Sequence, residues 1–302
     1  MCKTENMKRV LVPIQFDKAG SNLLRYAGHL ASTLGAELLL LHTLGTEGLT
    51  LTQQSQGMQQ LRAFGGRLLG ESQQSSAAWV PFECVVRPGS LSECVQTVVR
   101  DFSVDLVLME TCVLHQEAER NDPNNAASIM ELVSCPVMAV PCTATYQKLE
   151  NLVFATDFTD QEASVLRQIA GFATQAGANL TLVHVYTRAE RQNLSSYKAA
   201  MRKIEKLLGG EIVSLKLLEE EDQLEGITDF AEKSAASMLI LATQDNYLMQ
   251  RLFSSNYIKT MAYHTRFPIL TFRQLKKKPC AGQCASCANK KAEASGVILK
   301  LP

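Results

Sequence analysis

With 302 residues, 46% of them hydrophobic, the chain holds enough apolar material for two packed cores and does not read as a disordered polymer. Thirty Lys+Arg balance thirty Asp+Glu, so a formal net charge of zero supplies no general attraction for nucleic acid or acidic lipid. No run approaches the roughly 18–20 consecutive apolar residues of a membrane-spanning helix, and the opening Met1-Cys2-Lys3-Thr4-Glu5-Asn6 lacks the apolar core of a secretory signal. A cytoplasmic location is therefore expected, in which nine cysteines serve as thiols or metal ligands rather than as a disulfide framework.

Arg9–Phe16 is a continuous apolar run and reads as a buried strand. Asp17 to Leu34 follows with helical spacing, Leu23, Leu24, Ala27, Leu30, Ala31 and Leu34 sharing one face, and Gly35 marks its end. Glu37–Leu44 predicts a second strand, a polar stretch near 53–70 a helix, and Pro81–Arg87 a third strand. Pro88-Gly89 turns the chain, and Ser90 with Glu93 forms a capping-box start for a helix through Arg100. Asp105–Glu110, a helix near 125–134 and Pro136–Val140 complete the first series.

The order then recurs. Leu149–Thr156 predicts a strand, Asp160–Ala176 a helix, Asn179–Tyr186 a strand, 194–208 a helix and Glu211–Leu217 a strand. Gln223–Ser234 predicts a helix, Ser237–Ala242 a strand, 247–264 a helix and Pro268–Phe272 the last strand. The two series share residues as well as order. Phe16/Phe158, Leu24/Leu166, Ala31/Ala173, Gly35/Gly177, Leu40/Leu182 and His42/His184 all keep the offset 158 − 16 = 142 without a gap. A repeat of that length is a duplicated domain. Strands alternating with helices require crossovers, hence two doubly wound, open, parallel five-stranded α/β sheets in tandem, Rossmann-like in type. Expected bounds are 1–145 for the first domain, 146–275 for the second and 276–302 for a basic, cysteine-bearing tail.

The ordered set resembles the universal stress protein family. Its carriers in the first copy are Val10-Leu11-Val12-Pro13-Ile14, Gly35-Ala36-Glu37-Leu38, Asp105-Leu106-Val107-Leu108-Met109 and Ser134-Cys135-Pro136-Val137. Those in the second are Val153-Phe154-Ala155-Thr156-Asp157-Phe158-Thr159, Gly177 through Val185, and Phe267-Pro268-Ile269-Leu270. The resemblance covers about residues 7–273. It implies the fold of the adenine nucleotide alpha hydrolase-like group and a dimer-like pairing of domains, here within one chain, with a homodimer of chains left open. Some members of the family bind ATP, using an Asp at the end of the first strand and a segment G-x2-G-x9-G-[ST] after the fourth, where glycines let backbone N–H groups approach phosphate.

This chain departs from that pattern. In the first copy Gln15 stands at the Asp position, and Met109–Asn125 contains no glycine but carries Glu110, Glu117, Glu119 and Asp122, which repel a triphosphate. In the second, Asp157 matches, yet Ala242-Thr243-Gln244-Asp245-Asn246-Tyr247 replaces the glycine-rich turn and Ser254-Ser255 stands where Gly-Ser is expected. Tight ATP binding is not expected in either copy. If ATP, AMP or another small ligand binds, the second copy is the favoured place, through Asp157, Thr243, Ser254, Ser255 and Asn256. Helix capping is the competing role for Asp157, Ser254 and Ser255.

After the last strand, Cys280, Cys284 and Cys287 form C-x3-C-x2-C, a spacing at which thiolates converge on zinc or an iron–sulfur cluster; reduced thiols in a mobile tail are the alternative. Lys276–Lys278, Lys290 and Lys291 read as a solvated charge run, so nucleic acid and membrane are not expected partners. His42 and His184 at equivalent strand ends read as packed, hydrogen-bonded residues, Cys84, Cys94 and Cys135 as core residues, and Trp79 carries no signal. No nucleophile–base–carboxylate set, H-E-x-x-H or Walker A loop is present. The expected function is non-catalytic binding of a small ligand or partner in stress adaptation. An enzyme of the adenine nucleotide alpha hydrolase-like group and a metal or redox sensor working through the tail remain the alternatives.

Overall fold

A computed structural model describes residues 7–45, 50–73, 79–111, 126–156, 162–208, 213–243 and 267–273. The first half runs β1 (Arg9–Pro13), α1 (Lys18–Leu34), β2 (Glu37–Leu44), α2 (Leu51–Gln73), β3 (Phe82–Pro88), α3 (Leu91–Asp101), β4 (Leu106–Thr111), α4 (Ala126–Leu132) and β5 (Val137–Pro141). The second runs β6 (Asn151–Ala155), α5 (Ala163–Ala176), β7 (Asn179–Tyr186), a 3-10 turn (Arg188–Asn193), α6 (Leu194–Leu208), β8 (Val213–Glu219), α7 (Gln223–Lys233), β9 (Met238–Thr243) and β10 (Ile269–Arg273). The predicted helix at 247–264 lies outside the described residues.

Local chemistry explains the elements. α1 buries the predicted face and starts where the Asp17 carboxylate accepts the Gly20 N–H at 2.7 Å. It ends at Gly35, whose φ of 61° is matched by the φ of 65° at Gly177, the cap of α5. At the start of α3, Ser90 Oγ accepts the Glu93 N–H at 3.4 Å and donates to the Glu93 carboxylate at 2.8 Å.

The duplication extends to single contacts. Asp105 Oδ2 accepts the N–H groups of Lys8 and Arg9, and Ser237 Oγ accepts those of Glu150 and Asn151. The Arg9–Glu37 ion pair across β1 and β2 is answered by an Asn179–Asn151 hydrogen bond across β6 and β7. By the start of the third helix of each half the offset has dropped to 222 − 90 = 132, measured between the cap residues Ser90 and Asp222. The loss falls where the 23 residues of α2 are answered by the 15 of α6.

The ten strands form one sheet of order β3-β2-β1-β4-β5-β10-β9-β6-β7-β8. Each half is a five-stranded parallel unit, as expected, and the units fuse edge to edge. β5 and β10 pair antiparallel, with Ile269 opposite Ala139 and Leu270 opposite Met138. This fusion satisfies two edges that would otherwise present unpaired N–H and C=O groups. Two core layers follow, each running through both halves. One packs α1, α2, α5 and α6 on the sheet through Leu24, Leu30, Phe154, Phe172 and Leu270. The other packs α3, α4 and α7 through Val95, Ile129, Ile227 and Leu239.

Side chains close the seam. Thr271 Oγ1 donates to Val137 O at 2.9 Å and an Arg273 guanidinium N–H to Glu131 O at 2.6 Å. Thr33 and Gln175 occupy equivalent positions (175 − 33 = 142), and each holds the segment that leads into the other half. Gln175 accepts the Met7 N–H at 2.9 Å and donates to Met7 O at 2.7 Å and Leu34 O at 2.6 Å. Thr33 hydrogen-bonds the Tyr146 hydroxyl at 2.5 Å, and the Tyr146 ring meets Tyr26 edge-on at 5.3 Å. Gln175→Ala is expected to lower stability by about 1–3 kcal/mol, because it leaves three backbone groups without their partner; urea unfolding with an unchanged slope checks this.

Burial pushes the Cys135 thiol up to about 12 from 9.0, and it raises Tyr26 and Tyr146 as well. Above about pH 9 the unfolded thiol is deprotonated while the folded one still holds its proton, so the unfolded state binds fewer protons and stability falls as pH rises toward 12. Urea midpoints are expected to drop between about pH 8 and pH 10.5, and Cys135→Ala to flatten part of that slope.

Candidate functional site

In an open parallel sheet the ligand crevice lies beyond the carboxyl ends of the strands, where the chain leaves two neighbouring strands in opposite directions. Strand order places that point between β1 and β4 in the first half and between β6 and β9 in the second.

In the second half Ala155 sits opposite Leu241, so the ends of β6 and β9 lie side by side, with Thr243 the final residue of β9. Thr156, just past β6, is buried; its N–H donates to Val183 O at 2.9 Å and its carbonyl accepts Nδ1–H of His184 at 3.0 Å. His184 is buried too, its ring 4.3 Å from that of Tyr197. The turn after β7 is polar. Thr187 and Glu190 form a capping box for the 3-10 turn, and Arg191 Nε donates to Glu219 Oε2 at 2.7 Å, holding that carboxyl below its usual range. Of the five residues predicted to serve this crevice, only Thr243 lies among the described residues, as the last residue of β9, one position beyond the expected end of that strand. Asp157, Ser254, Ser255 and Asn256 lie outside the described residues. The cap position of α5 falls to Glu162, which makes no side-chain cap hydrogen bond.

In the first half the same crevice is bounded by Ile14-Gln15-Phe16 after β1 and by Glu110 and Thr111 at the end of β4. The β1–α1 turn is tight. A Cβ on Gly20 would lie 2.1 Å from the Gln15 carbonyl oxygen, so the close approach requires glycine. His42 donates Nδ1–H to Ile14 O at 2.9 Å, the equivalent of the His184–Thr156 bond. Both strand-end histidines are thus hydrogen-bonded, as predicted. Phe16 lies 4.3 Å from His42 and 5.4 Å from Phe64, an aromatic array that sequence reading missed. Its one available signal was the repeated Phe16/Phe158 and His42/His184 pairing.

Cys94 is buried, and Cys84 and Cys135 are half-buried in or beside core elements. Among the described residues no group of three or more His, Cys, Asp or Glu side chains could hold a metal ion. Cys112, Cys280, Cys284 and Cys287 lie outside them. No helix among the described residues is long and apolar enough to cross a membrane.

Comparison with known proteins fits this geometry. The universal stress protein family model matches the chain twice, over residues 6–141 and 148–273. The chain belongs to the universal stress protein family and carries two such domains in tandem. Among solved structures, a universal stress protein from Archaeoglobus fulgidus is similar at 15% identity and TM-score 0.60, covering 88% of this chain and 98% of its own. A functionally unknown protein from Pseudomonas aeruginosa is similar at 15% identity and TM-score 0.54, covering 97% of this chain and 98% of its own. A putative universal stress protein from the same species gives 15% identity and TM-score 0.55, covering 89% and 94%. At these identities the likeness speaks to fold. Curated protein sequences give no match.

Proposed function

We propose that this tandem universal stress protein is a non-catalytic, cytoplasmic binding protein of stress adaptation whose second-half crevice takes a small ligand. The observation that supports the reading is the register of β6 and β9, which lie side by side with Ala155 opposite Leu241, β9 ending at Thr243 and β6 followed in sequence by Asp157. Asp157 accepts a hydrogen bond from the ligand, and Thr243, Ser254, Ser255 and Asn256 offer hydroxyl and amide groups. The phosphate segment, lacking the family's glycines, does not wrap a triphosphate tightly.

Mass spectrometry of small molecules released from gently purified protein tests this reading. A ligand near one per chain, lost in Asp157→Ala, supports it. Co-purified ATP that the protein converts to ADP and phosphate overturns it in favour of a nucleotide-hydrolysing enzyme.

The C-x3-C-x2-C spacing supports a separate metal-sensing role for the tail. Metal bound to anaerobically purified protein and lost in Cys284→Ser is its expected result, and metal-free protein removes it.

A further inference from the structure

We propose that the segment Val297–Leu301 adds to the outer edge of β8 as an antiparallel strand of the same chain, extending the sheet at the end of the second half.

Among the described residues the sheet ends at β3 on one side and at β8 on the other. The two edges are not alike. β3 follows Pro81, ends in Pro88 and exposes Glu83 and Arg87, devices that discourage a further strand. α2 also lies close over it: a Cβ on Gly65 would come within 2.9 Å of the Phe82 ring. β8 holds no proline, and Leu215, Leu217 and Leu218 are only half-buried. Leu215 and Leu217 face the layer of α5 and α6, and Leu218 the layer of α7. The Glu220 N–H donates to Tyr186 O at 3.0 Å, on the β7 side. Alternation along the strand turns the N–H groups of Lys216 and Leu218 the same way, and those of Leu215 and Leu217 toward the outer edge.

The chain carries a matching segment. Val297-Ile298-Leu299-Lys300-Leu301 repeats Val213-Ser214-Leu215-Lys216-Leu217 at four of five positions, with offset 297 − 213 = 84. Its apolar residues at every second place suit the face on which Leu215 and Leu217 are half-covered. The link to β10 is 296 − 273 = 23 residues, up to about 75 Å of chain. A place beyond β8 lies five strand spacings from β10, about 24 Å. Direction follows from the sheet. β10, β9, β6, β7 and β8 are parallel, so the chain leaves β10 at the end of the sheet where β8 finishes. A strand entering there runs back along β8 and needs no crossover. Register follows from charge. Leu299 opposite Leu215 sets Val297 opposite Leu217 and Lys300 opposite Ser214, whereas a shift of two residues sets Lys300 against Lys216.

Amide hydrogen exchange read residue by residue by NMR tests this, comparing the full chain with one that stops at Ser295. Leu215 and Leu217 are expected to exchange about tenfold faster or more in the shortened chain, while Lys216 and Leu218, which face β7, change little. A general loss of stability would move all four together. Leu299→Pro removes an N–H aimed at β8 and should reproduce the shortening; Lys300→Pro removes one aimed away from it and should not. Because the pairing is made within one chain, the protection should not vary with protein concentration. The proposal fails if Leu215 and Leu217 exchange alike in the full and shortened chains, if the four amides shift together, or if the two proline variants behave alike. Protection that grows with concentration also overturns it, and assigns the edge of β8 to a second copy.

Discussion

Leu270→Pro is expected to unfold both halves together rather than to release the last strand. Leu270 is fully buried in β10, which pairs with β9 on one side and with β5 on the other. Proline removes the N–H that such a strand must donate and fixes φ near −65°, which is why it is found on edges and at bulges. The cost is about 3 kcal/mol or more for the backbone alone, set against about 5–15 kcal/mol of stability for a typical domain. What makes the effect global is the seam. β10 is the hinge strand of a ten-stranded sheet, and both core layers pass beneath or above it. Hydrogen exchange in Val10–Val12 of β1 and in Leu152–Phe154 of β6 is the measurement. Parallel loss of protection at the two places is expected; loss confined to β10 and its neighbours would show that the halves are stable independently.

That seam is also where sequence reading ran short. Strands and helices were legible because burial writes a local period into the chain. Val10, Leu11 and Val12 are all buried, as a strand covered on both faces requires, and α1 repeats leucines at helical spacing. The duplication was legible because equivalent positions face equivalent surroundings, down to the His42 and His184 carbonyl bonds. The antiparallel joining of β5 to β10 left no such mark. Val137–Val140 is an apolar run and Ile269–Phe272 is one broken only by Thr271, and such a run does not state which strand lies beside it. The change of offset from 142 to 132 was likewise silent, since the connection between the second and third strands of each half, 45–81 against 187–212, is constrained only to return to the sheet. The Phe16 array was not legible, because its members come from a strand-end turn, a strand and a helix, at separations that no local pattern links.

Phe154→Ala tests the shared core without touching a backbone hydrogen bond. Phe154 lies in β6 with no exposed surface, among the largest side chains buried so completely, and it belongs to the layer that also holds Leu24 and Leu30 of α1. Truncation removes about six carbon atoms' worth of contacts and leaves a cavity that an interior close-packed on both sides cannot fill by collapse; the expected loss is about 3–5 kcal/mol. The duplication supplies the control. Val12 is the equivalent residue (154 − 142 = 12), also fully buried, so Val12→Ala removes less from an equivalent place in the sheet and should cost less. Chemical denaturation of both variants gives the comparison. Because the layer is continuous, each should show one transition, with the midpoint of Phe154→Ala the lower. Two separated transitions in Phe154→Ala, the first involving only the second half, would mean that the cores meet at the seam without sharing their stability.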